Sequence, residues 1–313
     1  MTKILITGAE GLIGRAARVA LEGEGYAVGG CDLRAARAAE QFDFRDARRL
    51  RAALAGCDGV LHLAAVSRVV WGEMYPGLCS SINVGGVRSL IKTIAAMPHP
   101  MWLVFASSRE IYGTPPRLPC RPDTPPNPEN LYARTKLAGE AMVRDFRDQG
   151  GCAAVLRFSN VFGSVADYHD RVAPAFAGAA ARGGVLRVRG GDSTFDFTPL
   201  ADAVDAVVKM VRAVAGGACG MPPVDIVTGR SISLMNLAQM ALAHGGGDIV
   251  VEERQPFYPA HFQGDPGAAQ KHLGWVARRP VADAVGQLVE DFKRLGERGD
   301  ANTQNHSWLS AAL

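Results

Sequence analysis

The stretch Lys3-Ile4-Leu5-Ile6-Thr7-Gly8-Ala9-Glu10-Gly11-Leu12-Ile13-Gly14 decides how the chain is read. Ile4 to Ile6 form a short apolar run without period-2 alternation, and Arg15 to Gly23 continue with helical spacing. Between them the glycines recur as Gly-x-x-Gly-x-x-Gly. Glycines at such a strand-to-helix turn let the backbone approach a pyrophosphate, whose charge then faces the N–H groups and positive end of the helix. A structural tight turn uses glycine too, but the position between first strand and first helix favours a phosphate loop. Gly8, Gly11, Leu12, Ile13 and Gly14 are therefore candidate cofactor contacts.

Further along, Asp32 stands eighteen residues beyond Gly14, after the second apolar run, Tyr26 to Gly30. A carboxylate there binds the adenosine ribose hydroxyls of a dinucleotide and repels the extra phosphate of NADP, so Asp32 favours NAD. Arg34 and Arg37 nearby keep NADP open. The runs Val60 to Ala64, Met101 to Ala106 and Ala154 to Phe158 also lack alternation, as strands covered on both faces do. The expected fold is α/β: a doubly wound parallel sheet of the Rossmann kind over 1–163, with a smaller C-terminal substrate-binding domain over 164–300. Within the latter, 195–215 are expected to pack back on the first domain, and 301–313 to form a flexible tail.

Composition bounds the function. With 34 basic and 31 acidic residues among 313, the excess is too small for a dedicated nucleic-acid binder. No basic leader precedes Ile4 and no uncharged apolar run is long enough to span a membrane, so a cytoplasmic protein is expected. The six cysteines form no C-x-x-C, which argues against a zinc site and for reduced, buried thiols.

Lysine is scarce, six in all, yet Tyr132-Ala133-Arg134-Thr135-Lys136 sets one four residues after a tyrosine at the start of a helical stretch. With six of each, chance supplies such a pair only ~0.1 times. An ammonium near a phenol favours the phenolate, which prepares Tyr132 to exchange a proton with an alcohol or carbonyl. The segment Phe105 to Gly113, with Ser108, Tyr112 and Gly113, follows an apolar strand at the edge where parallel sheets bind ligands.

Taken together, these motifs resemble the extended short-chain dehydrogenase/reductase family, in particular its nucleotide-sugar epimerases and dehydratases. Leu61-His62-Leu63-Ala64-Ala65, Asn83-Val84, Leu156 to Gly163 and Leu273-Gly274-Trp275 match in the same order. The resemblance implies that Tyr132 is the acid/base, that Lys136 tunes it and holds the nicotinamide ribose, and that Ser108 binds the reacting sugar oxygen. It implies that Asp43 and Phe44 flank the adenine, that Leu63, Ala64 and Ala65 line the cofactor, and that Asn83 supports the active-site backbone. Asn160 would touch the substrate, and the segment beginning at Ser67 would lie over the sugar. A homodimer acting on a small nucleotide sugar is also implied. For Asn83 and Asn160 a purely structural role stands equally.

Family members open with removal of the sugar 4-hydroxyl proton and C4 hydride to give a 4-keto sugar. A 4,6-dehydratase then needs a further acid, and the resembled dehydratases carry Asp-Glu after the serine. This chain has Arg109-Glu110, and arginine cannot be that acid. Glu110 remains a candidate base, or simply an ion-pair partner. Phe195 stands where epimerases carry an arginine for the diphosphate, leaving Arg187, Arg189 or Arg254 to compensate. A C4 epimerase is the favoured expectation. A dehydratase or decarboxylase using Glu110, a keto-sugar reductase, and a non-catalytic dinucleotide sensor are the alternatives.

Overall fold

The computed structural model describes residues 1–253 and 261–297. Arg254 and the expected tail 301–313 lie outside the described residues. The chain opens with β1 (Lys3–Thr7), α1 (Leu12–Gly23), β2 (Ala27–Cys31), α2 (Ala47–Leu54) and β3 (Gly59–His62). The short α3 (Val69–Met74) and α4 (Pro76–Ser80) lead through a π-helical turn into α5 (Val87–Ala95), β4 (Trp102–Ser108), α6 (Leu131–Asp148) and β5 (Cys152–Phe158). Next come β6 (Asn160–Phe162), α7 (Val172–Ala181), β7 (Val185–Arg189), β8 (Thr194–Pro199), α8 (Leu200–Ala215) and β9 (Val224–Ile226). The last elements are β10 (Ser231–Ser233), α9 (Leu234–His244), β11 (Asp248–Glu252), α10 (Gly267–Leu273) and α11 (Val281–Glu297).

A six-stranded parallel sheet, in the order β2-β1-β3-β4-β5-β9, forms the centre. Every residue of β3 and β4 is buried, as expected from their unbroken apolar runs. One face packs on α1 and α8 through Ile4, Ile6, Val104 and Val207, the other on α5 and α6 through Leu5, Leu90, Leu103 and Phe105. Strand order reverses between β1 and β3, so a crevice opens at their carboxyl ends.

The boundary at 163 needs correction. α8, inside the 195–215 expected to pack back, returns to the first layer, but so do β9 and α10, with β9 paired to β5 and α10 packed on α8. Trp275, fully buried, donates its indole N–H to the Asp202 carbonyl at 3.0 Å and ties this return in place. The second unit is therefore interleaved: the sheet β10-β8-β6, the parallel pair β11-β7, and α7, α9 and α11 around Phe162, Phe176, Leu237 and Leu288.

The cysteines also differ from the expectation. Cys31, Cys57, Cys79 and Cys120 are free and buried, but Cys152 and Cys219 form a disulfide. They lie 67 residues apart, and the pairing of β5 with β9 brings their Cα atoms to 4.7 Å, a proximity that sequence spacing does not reveal. Among the described residues no helix is long and apolar enough to cross a membrane.

Candidate active site

A cleft of about 790 Å³ runs along the crevice and under the second unit. Gly8, Gly11, Leu12, Ile13 and Gly14 form one wall. Gly8 adopts φ +73°, and a Cβ there would stand 2.7 Å from the Ala64 nitrogen; one on Gly14 would stand 2.2 Å from the Gly8 carbonyl. No side chain larger than hydrogen fits at either position without moving backbone. Beneath the loop, the Thr7 hydroxyl lies 2.7 Å from His62 Nδ1 and accepts from the Ala64 N–H at 3.4 Å, so strands β1 and β3 are stitched at the crevice. Burial, and then the Lys136 charge, push His62 down to about 3, so its ring stays neutral.

At the far end, Asp32 accepts from the Glu10 and Arg34 N–H groups at 3.0 and 2.9 Å, with the Arg34 guanidinium at 3.4 Å. Asp43 is paired with Arg45 at 2.6 Å, and Phe44 stands edge-on to His62. All three candidates, with Leu63, Ala64, Ala65 and Ser67, line the cleft.

At the other end, β4 delivers Ser108 and α6 delivers Tyr132 and Lys136. Asn130 caps α6 by accepting from the Ala133 N–H at 2.8 Å and donates to Glu110 at 3.1 Å. Glu110 pairs with Arg109 at 2.8 Å, and its N–H donates to the Ser108 hydroxyl at 3.2 Å. Lys136 donates to the Ala106 carbonyl at 2.8 Å, with its nitrogen 5.8 Å from the Tyr132 ring centre. The expected lowering by Lys136 is not what dominates the phenol in this state. Burial dominates and pushes Tyr132 up to about 12; the nearby Ser108 hydroxyl works against the rise, and Glu110 adds to it. Burial likewise pushes Lys136 down to about 8.

Asn83 is not on the cleft wall. It is buried, accepts from the Val66 N–H at 2.8 Å, and donates to the Val66 carbonyl and Thr135 hydroxyl at 3.1 and 3.0 Å. It thus fixes the loop after β3 to α6. Asn160 and Arg189 do line the cleft; Arg189 is paired with Glu252 at 2.6 Å. The two departures from the family pattern meet: the Arg109 guanidinium lies 5.0 Å over the Phe195 ring and 5.2 Å from that of Phe262.

Three features were missed from the sequence. Asn130 was readable as a residue just before a helix. Arg68, which pairs with Asp170 across the cleft and stacks on Trp71 and Tyr168, had no local signal. Nor did the contact of Trp71, edge-on to Tyr168 at 4.8 Å.

The model of the NAD dependent epimerase/dehydratase family matches residues 4–222. The chain belongs to that family. A UDP-glucose 4-epimerase of Mycolicibacterium smegmatis is 28% identical over 93% of this chain and 98% of its own length. A putative UDP-arabinose 4-epimerase of Arabidopsis thaliana is also 28% identical, over 89% of this chain and 73% of its own. Among solved structures, a UDP-glucose-4-epimerase from Stenotrophomonas maltophila, with bound NAD and formylated UDP-arabinopyranose, superposes with a TM-score of 0.88. It is 23% identical over 95% of this chain and 100% of that one, and shares the fold.

This family member is an NAD-dependent epimerase/dehydratase enzyme, and its cleft fits the cofactor. The side-chain-free approach at Gly8 and Gly14 suits a pyrophosphate, and Asp32 at the end of β2 suits unphosphorylated ribose hydroxyls.

Proposed function

We propose that the protein is a nucleotide-sugar epimerase acting at C4 through a 4-keto intermediate, with Tyr132 as the acid/base. NAD, held along Gly8 to Gly14 and by Asp32, would supply a hydride acceptor that also returns the hydride, and a cationic ring that favours phenolate. Tyr132 takes the 4-hydroxyl proton and gives it back after the keto sugar has turned over. Ser108 holds the reacting oxygen and Lys136 supplies positive charge beside the phenol. Asn160 and Arg189 are proposed substrate contacts, Arg189 for the diphosphate. Relatives named as UDP-glucose and UDP-arabinose 4-epimerases support a UDP-sugar.

The observation that carries epimerisation over elimination is the state of Glu110. Its two carboxylate oxygens are occupied by Arg109 and Asn130, and no acid follows Ser108 directly. A carboxylate held on both sides is poorly disposed to strip a proton from C5. Incubation with a panel of UDP-, dTDP- and GDP-sugars tests the reading: a C4 epimer without net change in NADH is expected. A 4-keto-6-deoxy or decarboxylated product would overturn it, as would stoichiometric consumption of added NADH. The same reading includes a homodimer paired through α5 and α6, which sedimentation equilibrium checks.

A further inference from the structure

Helix α6 grips strand β4 at three successive heights. Tyr132 meets Ser108, Lys136 donates to the Ala106 carbonyl at 2.8 Å, and Glu140 accepts from the Ser107 hydroxyl at 2.5 Å. The three helix residues are spaced by four and so share one face. Gly139 permits the approach, since a Cβ there would stand 2.4 Å from the Phe105 ring.

The third height is locked from β5. Arg157 donates to both Glu140 oxygens at 2.9 and 2.7 Å, and its remaining amine reaches the Tyr112 hydroxyl at 2.7 Å and the Pro122 carbonyl at 3.0 Å. Both ion-pair members are buried. Such a pair stabilises no better than apolar packing of the same volume, because its desolvation is costly. It does impose direction: a one-residue slip of α6 rotates its face by about 100° and would break every bond named here.

We infer that Glu140, locked by Arg157, is a positioning residue: it sets the register that holds Tyr132 and Lys136 opposite Ser108 and Ala106, and it lends Lys136 a balancing negative charge. The inference rests on the acid/base roles proposed above. Titratable groups face Lys136 from every side: His62 on β3, Cys79 on α4, and Tyr132 and Glu140 on its own helix. His62 is neutral, and Cys79 is pushed up by its burial. Cys79 and then Glu140 oppose the desolvation of the Lys136 ammonium, and since burial keeps the Cys79 thiol protonated at neutral pH, Glu140 is the one that carries a negative charge there.

The test reads Lys136 directly. With six lysines in the chain, ¹³Cε NMR of lysine-labelled protein resolves Lys136 by comparison with Lys136→Met. The expected midpoint, about 8 in the wild type, moves down by roughly one unit in Glu140→Gln. In the same variant kcat falls about 10- to 100-fold while KM changes less than about threefold. Glu140→Asp keeps the midpoint and recovers part of kcat. Should Glu140→Gln fail to fold with Arg157 unpaired, Glu140→Gln with Arg157→Gln removes both charges and gives the same reading. An unmoved midpoint in the folded variant, or a loss confined to KM, overturns the inference. Since the titration needs no substrate, a sugar panel without turnover would sink the proposed function and leave this result legible.

Discussion

The two walls of the cleft are held by different physics. On the wall of β1, α1 and β3, backbone meets backbone: the Cβ of any residue at Gly14 would sit 2.2 Å from a carbonyl oxygen, and hydrogen bonds link neighbouring strands. On the opposite wall, β7 presents Arg187 and Arg189, 66% and 61% exposed, tethered to Glu252, and Arg68 reaches over to Asp170. Steric contacts on the first wall admit one solution, whereas ion pairs between long side chains can exchange partners for a ligand. The contrast suits a rigid cofactor seat facing an adjustable substrate seat.

The residues between the walls carry the largest expected effect. Tyr132→Phe keeps the ring packing and removes the proposed acid/base hydroxyl beside Ser108. Turnover should fall by about 10³-fold or more while NAD stays bound, read from product formation and from cofactor released on denaturation. Retained turnover would move the chemistry, and with it the meaning of both walls, elsewhere.

The rigid wall predicts the next largest effect. Gly14→Ala should lower NAD affinity by about 10- to 100-fold, because the added carbon would stand 2.2 Å from the Gly8 carbonyl oxygen and the loop backbone must shift to clear it. Gly23→Ala, at the other end of α1 with nothing within 4 Å of the added carbon, should leave both affinity and melting temperature almost unchanged. Titration of cofactor by fluorescence quenching compares the two, and equal losses would deny that close packing is what seats the cofactor.

What was legible beforehand follows the same division. The glycine spacing and the Tyr132–Lys136 pair are local patterns, fixed by one turn or one helix, and they lie together in the folded cleft. Unbroken apolar runs gave the parallel sheet for the same reason. The contacts that stayed hidden join distant segments: Arg68 with Asp170 across 102 residues, Tyr112 with Asp225 across 113, Cys152 with Cys219 across 67. No periodicity reports such partners. The return of β9 and α10 to the first layer was hidden likewise, because a short apolar segment states that it is buried but not against what.

A third expectation concerns the Arg109–Glu110 pair beside Ser108. Glu110 already disfavours the Tyr132 phenolate. Arg109→Gln leaves that carboxylate uncompensated, so the phenol should move further up. Activity that needs phenolate is lost as pH falls, so the acid limb of the kcat profile should shift to higher pH, with roughly tenfold loss at neutral pH. Glu110→Gln should shift the limb the other way. Shifts of the same sign would mean that the pair serves packing against Phe195 and Phe262 rather than electrostatics.

The adjustable wall should respond least, and in KM alone. Arg189→Ala removes one proposed diphosphate contact while Arg187 remains beside it, so KM should rise about threefold, more at low salt, with kcat and melting temperature unchanged. The opposite change sharpens the point. Arg189 and then Arg187 hold the Glu252 carboxyl below its usual range, so Glu252 competes with any anionic ligand for both guanidiniums at neutral pH. Glu252→Gln should therefore lower KM for nucleotide diphosphates, by a factor of about two, and flatten its salt dependence less than Arg189→Ala does. If Arg189→Ala instead lowered the melting temperature by several degrees with KM fixed, the tether would be structural, and the two walls would differ in composition but not in task.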